Sequence, residues 1–180
     1  MRRRVVAALA LALLYGCNPS AQTSFTPAPS PSPTSTSLSL KITGRGTATQ
    51  PVRFVAQQAH GNRVQYDLLA RSFESIGAQG SARVSFEHVR VTFHGKDGST
   101  LVADAPQAIV DQVTNTIEML GGVRAKNNTG TTLSCDSLQY DHQTEMIYGT
   151  GHVSFESANG FRAAGSRFES DISLTHTRMQ

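Results

Sequence analysis

Residues 101–123, LVADAPQAIVDQVTNTIEMLGGV, are followed by a second version of themselves at 133–153, LSCDSLQYDHQTEMIYGTGHV. Leu101, Val102, Ala103 and Asp104 recur as Leu133, Ser134, Cys135 and Asp136, an offset of 32. Asp111, Thr114, Ile117, Gly121 and Val123 then recur as Asp141, Thr144, Ile147, Gly151 and Val153, an offset of 30. The loss of two residues within one unit places a bulge or longer turn near Ala108 to Val110. An earlier unit starts at Leu68, Leu69, Ala70, Arg71 and a degraded one at Phe161, so successive starts lie 33, 32 and 28 residues apart. Self-similarity at this period marks a repeat architecture, in which each unit buries its apolar face against the next.

Within a unit the apolar residues alternate with polar ones, as in Val89, Val91, Phe93, in Leu133, Cys135 and in Val153, Phe155. That is the period-two pattern of half-buried strands. Turn residues separate the runs at Gly95 to Gly98, Asn127 to Gly130 and Asn159 to Gly160, a spacing that suits antiparallel hairpins. Residues 104–113 come nearest to a helical period, and Pro106 interrupts them. The expectation is an all-β array of about four hairpin-like units.

Composition agrees: charged residues make up 16%, there are 15 Gly, and there is no Trp, all unlike a Glu/Lys/Leu-rich helical protein. The formal charge of +3 comes from Arg2, Arg3 and Arg4, since without them 13 basic residues balance 13 acidic ones. The rest of the chain therefore lacks the basic excess that nucleic-acid binding requires.

The arginines open a targeting segment. Val5 to Leu14 is an apolar run of signal-peptide length, too short for the ~20 residues of a membrane span. It meets Leu14, Tyr15, Gly16, Cys17, similar to the lipobox of bacterial lipoproteins, with an ordinary Sec signal and an incidental Cys as the other reading. Residues 1–16 are thus a lipoprotein-type signal peptide and Cys17 the lipidation site. Residues 17–39 form a linker holding Pro19, Pro27, Pro29, Pro31 and Pro33 among Ser and Thr, a composition that favours extended polyproline II at about 3.1 Å per residue. Residues 40–180 are the folded domain.

Candidate chemistry is sparse. Asp104, Asp111, Asp136 and Asp141 recur at repeat-equivalent sites and invite comparison with paired catalytic carboxylates, but Asp at a turn is the expected cap of its own loop. His88, His94, His142 and His152 show no metal-ligand spacing. Cys135, without a partner once Cys17 is acylated, reads as a small buried hydrophobe. Asn127, Asn128, Thr129 is formally a sequon and more simply a turn. No catalytic residue, metal or cofactor is expected.

At Leu-x-Ala-Asp, Asp-x-x-Thr and Ile-x-x-x-Gly-x-Val the sequence resembles the periplasmic lipopolysaccharide-export proteins of the LptA, LptC and OstA group, over about residues 62–175. The signal, linker and single domain look most like LptC. The resemblance implies an open β-jellyroll of antiparallel strands in two sheets, with lipopolysaccharide acyl chains held inside. It also implies partners: an inner-membrane ABC transporter at one edge, an LptA-like bridge protein at the other, and a periplasmic place on the membrane, most simply the inner one, of a Gram-negative bacterium. The lipobox is a departure, because such proteins usually keep a transmembrane helix.

Side-chain alternation aims Val89, Val91, Phe93, Met119, Ile147, Val153 and Phe155 inward as groove residues, and the small Ala70, Ala103, Cys135 and Ala163 leave room there. A normally packed core is the competing reading. Val64, Tyr66 and Leu68 are assigned to one partner edge and Phe168, Ile172 and Leu174 to the other. A second function class is a periplasmic or surface lipoprotein whose β-solenoid binds or processes polysaccharide.

Overall fold

Alternation does decide the strands. In the computed structural model, which describes residues 40–47, 49–57, 63–77 and 82–180, every one of the long apolar-polar runs is extended. The strands are β1 (Leu40–Arg45), β2 (Val52–Gln57), β3 (Val64–Ala70), β4 (Ser72–Gly77), β5 (Arg83–His94), β6 (Thr100–Asp111), β7 (Thr116–Asn127), β8 (Thr132–Asp141), β9 (Met146–Glu156), β10 (Arg162–Asp171) and β11 (Thr177–Met179). There is no helix among the described residues. The signal segment, Cys17 and the linker lie outside them.

The strands form one eleven-stranded sheet in the order β1-β4-β5-β6-β7-β8-β9-β10-β11, with β2 on β3 and β3 on β5. Each pairing is antiparallel. A parallel β-helix is thereby excluded, and with it the solenoid form of the polysaccharide reading.

Each long strand changes course at its middle. Along β5 the buried residues pass from Val84 and Phe86 to Val89, Val91 and Phe93, and His88 between them has φ 51°. Along β8 they pass from Leu133 and Cys135 to Leu138 and Tyr140. Gly121 and Gly122 on β7 and Gly151 and His152 on β9 also have positive φ. Register slips at Asp104/Gln107, Leu120/Val123, Ser134/Ser137 and Gly165/Arg167 lie beside one another on successive strands. Bulges at matched positions bend a sheet, so these residues make a continuous corner. The break between β3 and β4 joins it, with the Arg71 amide donating to the Glu87 carbonyl at 3.0 Å.

The corner divides the sheet into two limbs. Limb one holds β1, β4, β11 and the halves of β5 to β10 nearest the 111–116 and 141–146 turns. Limb two holds β2, β3 and the other halves. The limbs face each other: the Phe93 and Tyr140 rings are 4.6 Å apart and Phe155 stacks on Phe168 at 5.7 Å. A single hydrophobic cluster runs between them from Tyr66 and Leu68 to Phe168, Ile172 and Leu174. Each such side chain buried contributes about 1.5–3 kcal/mol.

Three expectations are corrected. The extra residues of the first repeat lie at the Ala105–Pro106 corner, where the β6–β7 register slips, rather than at Ala108 to Val110. Val64, Tyr66 and Leu68 are not at an edge, because β2 and β5 flank β3 on both sides. The sequence reading missed β1 and β2, whose side chains are mostly exposed and so carry little alternation. Finally, Phe168, Ile172 and Leu174 do not share a terminal strand. Phe168 lies on β10 between β9 and β11, whereas Ile172 and Leu174 follow it in a turn that tucks them inward.

Candidate functional site

The interior between the limbs gathers the residues assigned to the groove. Val89, Val91, Phe93, Val153 and Phe155 come from limb two, Met119 and Ile147 from limb one, and each is at most 5% exposed. Arg90 and Glu118, of opposite parity, are exposed. Ala70, Ala103 and Cys135 are buried among them, while Ala163 is half-buried. Burial pushes the Cys135 thiol up to about 11, and the charge of Asp136 adds to the shift. It therefore stays protonated and poorly nucleophilic.

The repeated aspartates divide into two kinds. Asp111 Oδ1 accepts from the Val113 and Thr114 amides at 2.9 and 3.1 Å, and Asp141 Oδ1 from those of Gln143 and Thr144 at 2.8 and 3.4 Å. These are turn caps. Asp104 pairs with Arg90 at 2.7 Å and Asp136 with His152 Nδ1 at 2.7 Å, both on the outer face near the corner. No three metal-ligating side chains converge among the described residues. The sequon is structural: Asn127 is 5% exposed, and its Oδ1 accepts from the Thr129 and Thr131 amides at 3.1 and 2.8 Å.

Opposite the corner, the turns of the two limbs approach each other and form the mouth of the fold. Glu145, in the 141–146 turn of limb one, pairs with Arg63 at the start of β3 and with Lys96 at 3.4 Å in the β5–β6 turn. Arg63 also donates to the His94 carbonyl at 2.9 Å, and Gln65 Nε2 to the His142 carbonyl at 3.4 Å. Farther along, Asn127 Nδ2 donates to the Ser173 carbonyl at 2.7 Å. Just inside lie Tyr66, Tyr140 and His142, with Tyr66 edge-on to the other two. Burial lowers His142 and raises Tyr140, to which the charge of Glu145 adds. Sequence reasoning missed this cluster. The one available signal was Glu145 itself, at the place where the preceding repeat has Asn115.

The model of the LptC-related lipopolysaccharide-assembly family matches residues 5–178. The chain belongs to that family. The match extends beyond the repeats at both ends and takes in the apolar N-terminal run. Membership makes the chain a lipopolysaccharide-transport protein of a transport and binding family, associated with the inner membrane and facing the periplasm in Gram-negative bacteria. Among curated proteins, none matches the chain.

Proposed function

We propose that this chain is a non-enzymatic carrier in the lipopolysaccharide-export bridge, taking lipid from an inner-membrane ABC transporter and passing it to the next β-jellyroll. In this reading the two limbs are the two sheets of an open jellyroll built from about four repeats, and acyl chains enter between them. The observation that carries it is the unbroken apolar strip between the limbs. Val91, Phe93, Met119 and Ile147 line it without a charged neighbour on the inner face, the surface an acyl chain prefers to water at about 0.8 kcal/mol per CH₂. Neighbouring jellyrolls would add to the free edges at β1–β2 and at β10–β11 through main-chain hydrogen bonds. Cys17, acylated, would hold the domain at the membrane through the linker.

Photo-crosslinking residues test the interior. At Phe93, Met119 or Phe155 they should capture lipopolysaccharide in cells, and at Arg90 or Glu118 they should not. Capture from both faces alike, or from neither, rules out transport through the interior. For the anchor, a palmitate analogue should label the wild type and not Cys17→Ser.

A further inference from the structure

The turn at 141–146 and its copy at 111–116 have the same frame, with an Asp cap, a Thr and then a left-handed residue: Asn115 at φ 55° and Glu145 at φ 58°. Asn is suited to that conformation and Glu is not. Asn115 is exposed, whereas the Glu145 side chain is 10% exposed and holds two cations from the opposite limb. The turn does not ask for Glu; the contact across the mouth does.

Behind that contact lie two buried polar atoms without a partner among the described residues, the Tyr140 hydroxyl and Gln65 Oε1. Tyr140 is 0% and Gln65 3% exposed. Buried polar groups are nearly always hydrogen-bonded, and these two, on residues packed behind the cross-limb ion pair, keep hydrogen-bonding capacity for a partner that enters between the limbs. We infer that the Arg63–Glu145–Lys96 bridge is a latch over an entry port to the interior, and that once the latch parts the Tyr140 hydroxyl donates to the polar end of an anionic acylated lipid while Gln65 Oε1 accepts from a hydroxyl or amide N–H of that end. The inference rests on the carrier reading. An anionic headgroup suits the port because it competes with the Glu145 carboxylate for Arg63 and Lys96. Parting the latch frees the 141–146 turn of limb one from β3 and the β5–β6 turn. The bent corner stays intact, so the limbs hinge rather than unfold.

The repeat itself supplies the test variant. Glu145→Asn puts the Asn115 residue into the same turn, keeping the backbone and removing the latch. Lys96→Ala removes only the exposed arm and is the second variant should the first unfold. Two readouts are needed on the full chain: entry of the hydrophobic dye 1-anilinonaphthalene-8-sulfonate, and the association rate of fluorescent lipopolysaccharide. Glu145→Asn should bind dye that wild type excludes and take up lipopolysaccharide about tenfold faster, with near-UV circular dichroism unchanged; Lys96→Ala should gain about twofold. Tyr140→Phe should leave the association rate alone and speed release. Dye entry equal to wild type in both latch variants overturns the latch. Dye entry in the variants with no lipopolysaccharide uptake by any protein upholds the latch and overturns the carrier reading.

Discussion

The corner and the mouth both join the two limbs, and they do so by opposite means. At the corner the same strands run from limb to limb, bent at Gly121–Gly122 and Gly151–His152 and flanked by ladder hydrogen bonds. At the mouth, among the described residues, only side chains cross: Arg63 and Lys96 to Glu145, Gln65 to the His142 carbonyl, Asn127 to the Ser173 carbonyl. Undoing the corner breaks the sheet, whereas undoing the mouth exchanges a few polar bonds for water or a ligand.

Damage to the corner should therefore cost the most stability. A Cβ at Gly151 would stand 2.2 Å from Asp136 Oδ2, on a residue whose φ of +71° disfavours any side chain. Gly151→Val should destabilise by about 3 kcal/mol or more, read as a lower urea midpoint. A midpoint within experimental scatter of wild type would mean the bend is not fixed by the backbone.

At the mouth the largest effect is expected from Asn127→Ala. It takes the acceptor from the buried Thr131 amide and also the bond to Ser173, and should cost about 2 kcal/mol. Protease cleavage in the 171–177 turn should rise with it. Loss of stability without that local exposure would make Asn127 a turn residue alone. Next come the paired caps: Asp111→Ala and Asp141→Ala should each lower the urea midpoint by less than Asn127→Ala does, through loss of the turn bonds. Only Asp141→Ala should also admit dye, because its turn carries Glu145. Equal dye entry in the two would erase the distinction between the copies.

The sequence made the corner and the turns legible to different degrees. The 30-residue offset linking Asp111, Thr114 and Val123 to Asp141, Thr144 and Val153 identified the hairpins, since a turn is written in neighbouring residues. Inward parity at Val89, Val91 and Phe93 could be read for the same local reason. The course of β5 as a single strand was hidden, because the buried parity switches between Phe86 and Val89 and breaks the alternation. β1 and β2 escaped notice because exposed edges such as Ile42, Phe54 and Val55 carry no pattern. The latch was least legible: Arg63 and Glu145 are 82 residues apart, and only the fold brings them together.

Tyr140→Phe should have the smallest effect and the opposite sign. The hydroxyl is fully buried and has no partner among the described residues, so the ligand-free protein bears its desolvation without a compensating bond from them. Phe keeps the ring contact with Phe93 at 4.6 Å and discards that cost. The variant should be more stable by about 0.5–1 kcal/mol in urea unfolding of the ligand-free chain. Mouth and corner would then differ in what selects their residues as well as in their bonds. At Gly151 the positive φ and the nearby Asp136 carboxylate select glycine, whereas at Tyr140 stability would be surrendered for a group that acts on a guest. A destabilised Tyr140→Phe would show instead that the hydroxyl already has a partner in the closed molecule, and the mouth would be as fully optimised for folding as the corner.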